Sequence, residues 1–210
     1  MKVEWKSNLK IFTPQECQEL VNEFFSLELS DESGMPEYYK NSSGFFNLPG
    51  SLVYKDRVTN AIRDKYPHAT FHSTYARVYR RESTLKIHTD RKGLDLGMSI
   101  CLEDKNNLDW PLNISAIKYD GEEWDLTKDS SHFKEKYVEA HCDVGYAAIM
   151  EGRRFPHWRE DLLCGDNQRA VYLFYFWELP KPSQEMSRKD TLIKEIEDRL
   201  AELKKEVNKG

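Results

Sequence analysis

The tripeptide His88-Thr89-Asp90 is the first place in the chain where side chains could do chemistry together. Residues two apart in an extended segment point to the same side, so an imidazole and a carboxylate would share one face at the end of a strand. A third candidate, His157, stands in Arg153-Arg154-Phe155-Pro156-His157-Trp158-Arg159, just past a stretch, Tyr146 to Met150, that reads as another strand. Two imidazoles and one carboxylate on a rigid β scaffold would cover one face of an octahedral divalent ion and leave three positions open.

That donor set, with open positions for a cosubstrate and O2, is the arrangement of non-haem Fe(II) oxygenases. The tripeptide alone is a weak signal: with six His and 15 Asp in 210 residues, chance gives about 0.4 such matches. The other histidines, His68, His72, His132 and His141, read as solvated or hydrogen-bonded side chains.

Positioning these groups requires strands, and the sequence supplies them after two helices. Thr13-Pro14-Gln15-Glu16 has a capping residue, a proline fit for the first helical position and a glutamate three residues after the cap. Cys17, Leu20, Val21, Phe24 and Phe25 then form one helical face ending near Leu27. Ser30 to Gly50 reads as a turn-rich loop carrying Tyr38, Tyr39, Phe45 and Phe46, a lid over substrate in the sharper reading, and Leu52 to Lys65 as a second helix with Val58 and Ile62 inward.

Beyond Pro67, strands are expected near 70–79, 85–88, 97–102, 112–118, 137–141, 146–150 and 171–177. Many short strands after two helices imply a mainly β fold with flanking helices, a β-sandwich or jelly roll. Val171 to Trp177 is apolar on both faces, which places it centrally in the sheet.

Pro180 and Pro182 close this domain, residues 1–182, and a helical tail occupies 183–210. In the tail Ile193, Ile196, Leu200, Leu203 and Val207 repeat at spacings of 3 and 4, a short heptad seam. It is expected to lie on its own subunit, leaving a monomer; the alternative is a tail-mediated dimer.

A net charge of -5 offers no general attraction to nucleic acid or anionic lipid, and no apolar run approaches the roughly 20 residues of a membrane span. The N-terminal residues lack the apolar stretch of a secretory leader, so a cytoplasmic location is expected. Cys17, Cys101, Cys142 and Cys164 are scattered, without a C-x-x-C pair, and read as reduced and mainly core fillers. No G-x-S-x-G, Walker A or G-x-G-x-x-G motif is present.

Three segments in order resemble one family. Asn8 to Leu20 is similar to the opening strand and first helix of prolyl-4-hydroxylase-like, 2-oxoglutarate and Fe(II)-dependent dioxygenases. Tyr75-Ala76-Arg77-Val78-Tyr79 followed by Leu85 to Asp90 resembles that family's tyrosine-bearing strand and metal-binding H-x-D, and Gly145 to Glu160 its strand pair with the distal histidine. The resemblance covers about residues 8–178. It implies a double-stranded β-helix, cupin-like, with His88, Asp90 and His157 holding Fe(II).

It further implies a cation for the far carboxylate of 2-oxoglutarate: Arg169, 12 residues past His157, is the first choice and Arg159 the rival, while Tyr79 would reach the same cosubstrate. The implied activity is an oxidoreductase, a dioxygenase that uses O2 and 2-oxoglutarate, with ascorbate as reductant, to hydroxylate an unactivated C–H bond of a prolyl or other peptidyl residue, releasing succinate and CO2. The alternatives are the same iron chemistry on a small molecule, and a non-catalytic jelly-roll module for metal binding or interaction. Asp109-Trp110-Pro111-Leu112-Asn113-Ile114 departs from the Gly-Gly-acidic-Leu stretch common in prolyl hydroxylases, and Gly121 to Trp124 only partly replaces it, so the substrate stays open.

Overall fold

The computed structural model describes residues 6–31, 39–105, 107–121 and 129–180, with Ile193 and Ile196. Strand β1 (Lys6–Lys10) leads into helix α1 (Pro14–Ser26), which opens on a complete capping box. The Thr13 hydroxyl accepts from the Glu16 amide at 3.2 Å, and the Glu16 carboxylate accepts from the Thr13 amide at 2.8 Å. The helix buries Cys17, Leu20, Val21 and Phe24, the face its spacing predicts, and packs on strand β5 (Leu96–Asp104).

Two expectations are corrected after α1. The segment read as an aromatic loop holds a strand, β3 (Tyr39–Phe46), paired with a short β2 (Ser30–Asp31) and with the long β4 (Thr70–His88). Its Asn-Ser-Ser-Gly stretch has low strand propensity, and pairing to β4 overrides it. The expected second helix is broken into α2 (Pro49–Val53) and α3 (Lys55–Asn60). Tyr54 leaves the helical region between them, at φ −90° and ψ 0°, and its ring packs edge-on against Phe12 at 5.1 Å.

The strands expected at 70–79 and 85–88 are one strand, β4. Glu82 takes a φ of 60°, and the Ser83 hydroxyl accepts from the Arg80 amide and donates to the Asn41 carbonyl. This kink changes the partner on one edge of the strand. Before it, β4 lies between β3 and β10 (Ala170–Glu178); after it, β3 stays alongside at Thr84 and Leu85, while Leu85 and His88 pair on the other edge with β9 (His157–Arg159).

The remaining strands are β6 (Leu112–Ser115), β7 (Tyr137–Ala140) and β8 (Tyr146–Met150). The sheet runs β1-β8-β5-β10-β4-β9-β6-β7, all pairs antiparallel, with β3 and β2 added on β4. Curled on itself, it is a mainly β double-stranded β-helix with flanking helices, as the sequence implies. β10 is central, between β5 and β4, and its outer face is covered where Tyr175 donates to the Ser51 carbonyl and Trp177 to the Thr59 hydroxyl.

The chain divides into two compact units, 1–178 and 179–210. Of the expected tail helix, Ile193 and Ile196 are described and are helical; Leu200, Leu203 and Val207 lie outside the described residues. No helix among the described residues is long and apolar enough to cross a membrane. Cys17 and Cys101 are buried free thiols of the core.

Candidate active site

His88 ends β4, and its backbone register partner is His157, the first residue of β9. Two residues on, Asp90 is fixed by its amide, which donates to the Gly152 carbonyl at 3.0 Å. The fold thus brings the three residues together although 67 positions separate Asp90 from His157. Among the described residues, His88, Asp90 and His157 form the cluster whose His, Cys, Asp or Glu donor atoms all lie within 4.8 Å of one another.

Both imidazoles are oriented by backbone. Nδ1 of His88 meets the Lys86 carbonyl at 2.8 Å, and Nδ1 of His157 meets the Phe155 carbonyl at 3.0 Å. A carbonyl only accepts, so Nδ1 carries the proton in each ring and Nε2 is left as a lone-pair donor. Burial pushes His88 down to about 3, helped by the neighbouring His157, and pushes His157 down to about 4. Neutral imidazoles at physiological pH are the form that binds a metal.

Asp90 is unlike an ordinary structural carboxylate. Its Oδ1 lies 3.8 Å from His157 Nε2, and its Oδ2 is buried with no hydrogen-bond partner. Burial raises its pKa to about 6. A buried anion without a donor is costly and calls for a cation. The residues present therefore fit a divalent metal: two aligned imidazole nitrogens, one carboxylate in need of positive charge, and a face open to a cavity.

That cavity, about 430 Å³, is walled by three strands in register. Ser73 of β4, Phe176 of β10 and Gly97 of β5 make one tier; Tyr75, Phe174 and Ser99 the next; Arg77, Tyr172 and Cys101 the third. Tiers are two residues apart, about 7 Å. The first tier is level with the metal ligands, since a β-carbon on Gly97 would lie 3.4 Å from Asp90 Oδ2. Tyr172 and Cys101 belong to a buried cluster with Tyr79 and Trp110 that closes the barrel below.

The three cosubstrate residues named from the sequence go to different places. Arg159 follows His157 on the same inward face of β9 and is 2% exposed. Its guanidinium lies 4.0 Å from the Tyr172 ring centre and 4.9 Å from that of Trp110, donates to the Trp110 carbonyl, and reaches the Ser99 hydroxyl at 3.5 Å. Its Nε has no acceptor.

Arg169 does not line the cavity: it forms an ion pair with Glu103 at 2.6 Å and stacks on Phe25 at 3.9 Å. Alternation explains the placement. The inward residues of β10 are even-numbered, so 169 points outward. Tyr79 is fully buried in the closing cluster, where its hydroxyl accepts from Arg77 at 3.2 Å.

Sequence reading missed Arg77, Tyr75, Ser99 and Gly152. Arg77 and Tyr75 were legible as alternate residues of the strand that carries Tyr79, a charged residue on an otherwise apolar inward face. Gly152 carried no signal, because its need comes from a through-space neighbour: a β-carbon there would sit 1.9 Å from Asp90 Oδ2.

Curled sheet and buried triad together define a chain with the fold of the 2-oxoglutarate and Fe(II)-dependent oxygenases. A prolyl-4-hydroxylase from Pseudomonas putida is similar to it with a TM-score of 0.60 and 12% identity, over 85% of this chain and 94% of that one. HygX from Streptomyces hygroscopicus, solved with nickel and 2-oxoglutarate bound, gives 0.58 and 12% over 83% of both chains. The non-haem α-ketoglutarate-dependent epimerase SnoN from nogalamycin biosynthesis gives 0.61 and 10%, over 83% of this chain and 78% of that one. No family model and no curated protein matches the sequence. At such identities the likeness carries the fold, and the site rests on the residues described above.

Proposed function

We propose that this protein is an Fe(II)- and 2-oxoglutarate-dependent dioxygenase that hydroxylates an unactivated C–H bond, forming succinate and CO2. The observation that carries this is Asp90: a buried carboxylate with an unpartnered oxygen, beside two imidazoles whose Nδ1 protons are held by backbone carbonyls, on the wall of an apolar-lined cavity. When bound, Fe(II) would supply the activation of O2, one oxygen atom going to succinate and the other to the substrate.

The chain's own residues do the positioning. His88, Asp90 and His157 hold the metal by one face. Arg159 and Ser99 take the tail carboxylate of 2-oxoglutarate, in preference to Arg169. A five-carbon diacid reaching down from the metal arrives between the Ser99 and Tyr172 tiers, where the Arg159 fork lies in a site too buried for water to compete. Leu85, Leu112 and Met150 keep the metal side of the cavity apolar, which protects ferrous iron from unproductive oxidation. The acceptor is a prolyl or other peptidyl residue or a small molecule.

The test is succinate formation from 2-oxoglutarate by protein given Fe(II), ascorbate and O2, against the His157→Ala variant. Release above the variant's background is expected. Wild-type protein that binds Fe(II) yet forms no more succinate than the variant, with substrate pools of peptides and metabolites present, would sink the reading.

A further inference from the structure

We propose that the acceptor substrate is a small, largely apolar molecule carrying a hydroxyl at the end away from the reacting C–H bond, and that Ser73, held by His72, receives that hydroxyl. This rests on the dioxygenase reading and deepens it.

Strand β4 carries a bulge beside the site. Phe176 and Trp177 are neighbours on β10, yet their register partners on β4 are Ser73 and Phe71, so His72 is an extra residue. Bulges gather next to active sites, where they re-aim a side chain. Here Nδ1 of His72 and Oγ of Ser73 meet at 2.8 Å, although adjacent residues of a regular strand point to opposite faces. Ser73 lines the cavity, 2% exposed, in the tier level with the metal ligands. The turn that follows Asp90 lies against the imidazole: a β-carbon on Gly93 would be 3.7 Å from its Cδ2 and Nε2.

A hydroxyl has one donor and two lone pairs, so bonding to a ring nitrogen leaves it capacity for a ligand. If Nδ1 accepts, Ser73 gives its proton to the ring and offers lone pairs to a donor. If Nδ1 carries the proton, Ser73 offers its own proton to an acceptor. An alcohol serves both arrangements, because it donates and accepts. A neutral serine suits a neutral group, since one uncharged hydrogen bond does not offset the desolvation of an ion.

The size of the molecule follows from the tier. Phe176 stands between Ser73 and Gly97, which are two strand spacings or about 10 Å apart. Gly97 marks the metal side, a β-carbon there lying 3.4 Å from Asp90 Oδ2. A molecule bonded to Ser73 with its far end at the metal therefore crosses the Phe176 ring, which is near parallel to Phe174 at 16°. Phe46 and Leu94 continue the apolar lining. The cavity of about 430 Å³ also has to hold 2-oxoglutarate, which leaves room for a body of about one ring.

The experiment uses the full chain loaded with Mn(II) and saturating 2-oxoglutarate without O2. Proton NMR titrations follow 4-methylphenol, 4-fluorotoluene, which has the same shape without the hydroxyl, and the peptide acetyl-Gly-Tyr-Gly-amide. 4-Methylphenol is expected to bind about fivefold more tightly than 4-fluorotoluene and more tightly than the peptide. Its methyl protons should be relaxed by Mn(II) more strongly than the ring protons beside the hydroxyl. Ser73→Ala should erase the preference, with Mn(II) and 2-oxoglutarate affinities kept within about threefold. His72→Ala should reduce it, and His72→Asn, which returns a polar atom near the Nδ1 position, should restore part of it.

Equal binding of 4-methylphenol and 4-fluorotoluene, or no detectable binding of 4-methylphenol, overturns the proposal on wild-type protein alone. Strongest relaxation at the hydroxyl end overturns it by reversing the molecule, and tighter binding of the peptide overturns it by moving the hydroxyl to a tyrosine side chain. A preference that survives Ser73→Ala places the hydroxyl elsewhere. Wild-type chain that binds neither Mn(II) nor 2-oxoglutarate defeats the dioxygenase reading first, before any probe is added.

Discussion

At the closed end of the barrel most buried polar atoms find one another, Arg159 Nε being the exception. The Trp110 carbonyl accepts from both Arg159 and the Tyr172 hydroxyl, the Trp110 indole donates to the Glu160 carbonyl at 2.8 Å, and the rings of Tyr79, Trp110 and Tyr172 meet with centres 4.8 to 6.3 Å apart. At the metal end the donor atoms lie within 4.8 Å of one another. His88 and His157 turn their protons to backbone, and Asp90 Oδ2 has no donor. One end spends its polar groups on stability; the other holds them ready for an ion.

That contrast is broken most severely by removing a ligand. His88→Ala or His157→Ala should lower Mn(II) affinity more than about 100-fold, beyond what loss of a supporting contact does, with little change in metal-free melting temperature. Trp110→Ala should do the reverse, costing about 3 to 5 kcal/mol in chemical denaturation while Mn(II) binding persists in the folded fraction. A Trp110→Ala protein as stable as wild type would show that the closed end is not the structural one.

Next in size is the choice between two arginines. Arg159→Ala should weaken 2-oxoglutarate binding about 100-fold in the Mn(II)-loaded protein, because a buried charged partner is lost. Arg169→Ala should change it less than about threefold, since its contacts are Glu103 and Phe25. Calorimetry on both variants decides, and the opposite pattern would restore Arg169 as the anchor.

Gly152→Ala tests the seating of Asp90. A β-carbon 1.9 Å from Oδ2 has to displace the carboxylate, so Mn(II) affinity should fall about tenfold. The same change made in an Asp90→Ala background should cost almost no stability, because the atom it collides with is gone. A stability loss that is the same in both backgrounds would refute the contact.

The smallest effect concerns the metal-free protein. Asp90 is raised from 3.8 to about 6, so between those values the folded chain keeps a proton that the unfolded chain has released. Folding stability from this group therefore declines as pH rises through that window, and the full penalty stands above pH 6. Asp90→Asn removes it. Without metal, the variant should be more stable than wild type by about 1 to 2 kcal/mol at pH 7.5, with the gap closing near pH 4. Equal stability at pH 7.5 would mean that Asp90 is satisfied without a metal.

Much of this was legible from local pattern. Thr13 to Glu16 announces the capping box, Val171 to Trp177 announces a central strand, and the H-x-D with its later histidine announces the triad, because each signal is carried by residues close together or by a period that one element imposes. β3 was hidden because Ser42, Ser43 and Gly44 become a strand only when β4 supplies their partners. The single strand 70–88 was hidden because charged residues in its middle, Arg80 to Glu82, look like a loop and are a kink at which β9 replaces β10 on one edge.

By itself, then, the sequence named the residues able to form a metal site, His88, Asp90 and His157, and offered Arg159 and Arg169 as candidate cations beside it. Tertiary structure alone decided that Arg169 turns to Glu103 while Arg159 reaches Ser99 of the cavity wall, that Arg77 lines the cavity, and that Gly152 lies against Asp90. The reason is parity and distance. A strand's alternation says which residues share a side, but when both faces of β10 are apolar only the register with β4 and β5 says which side is inward, and that register leaves 169 outside. The 1.9 Å approach at Gly152 joins residues 62 positions apart, a spacing no local period can encode.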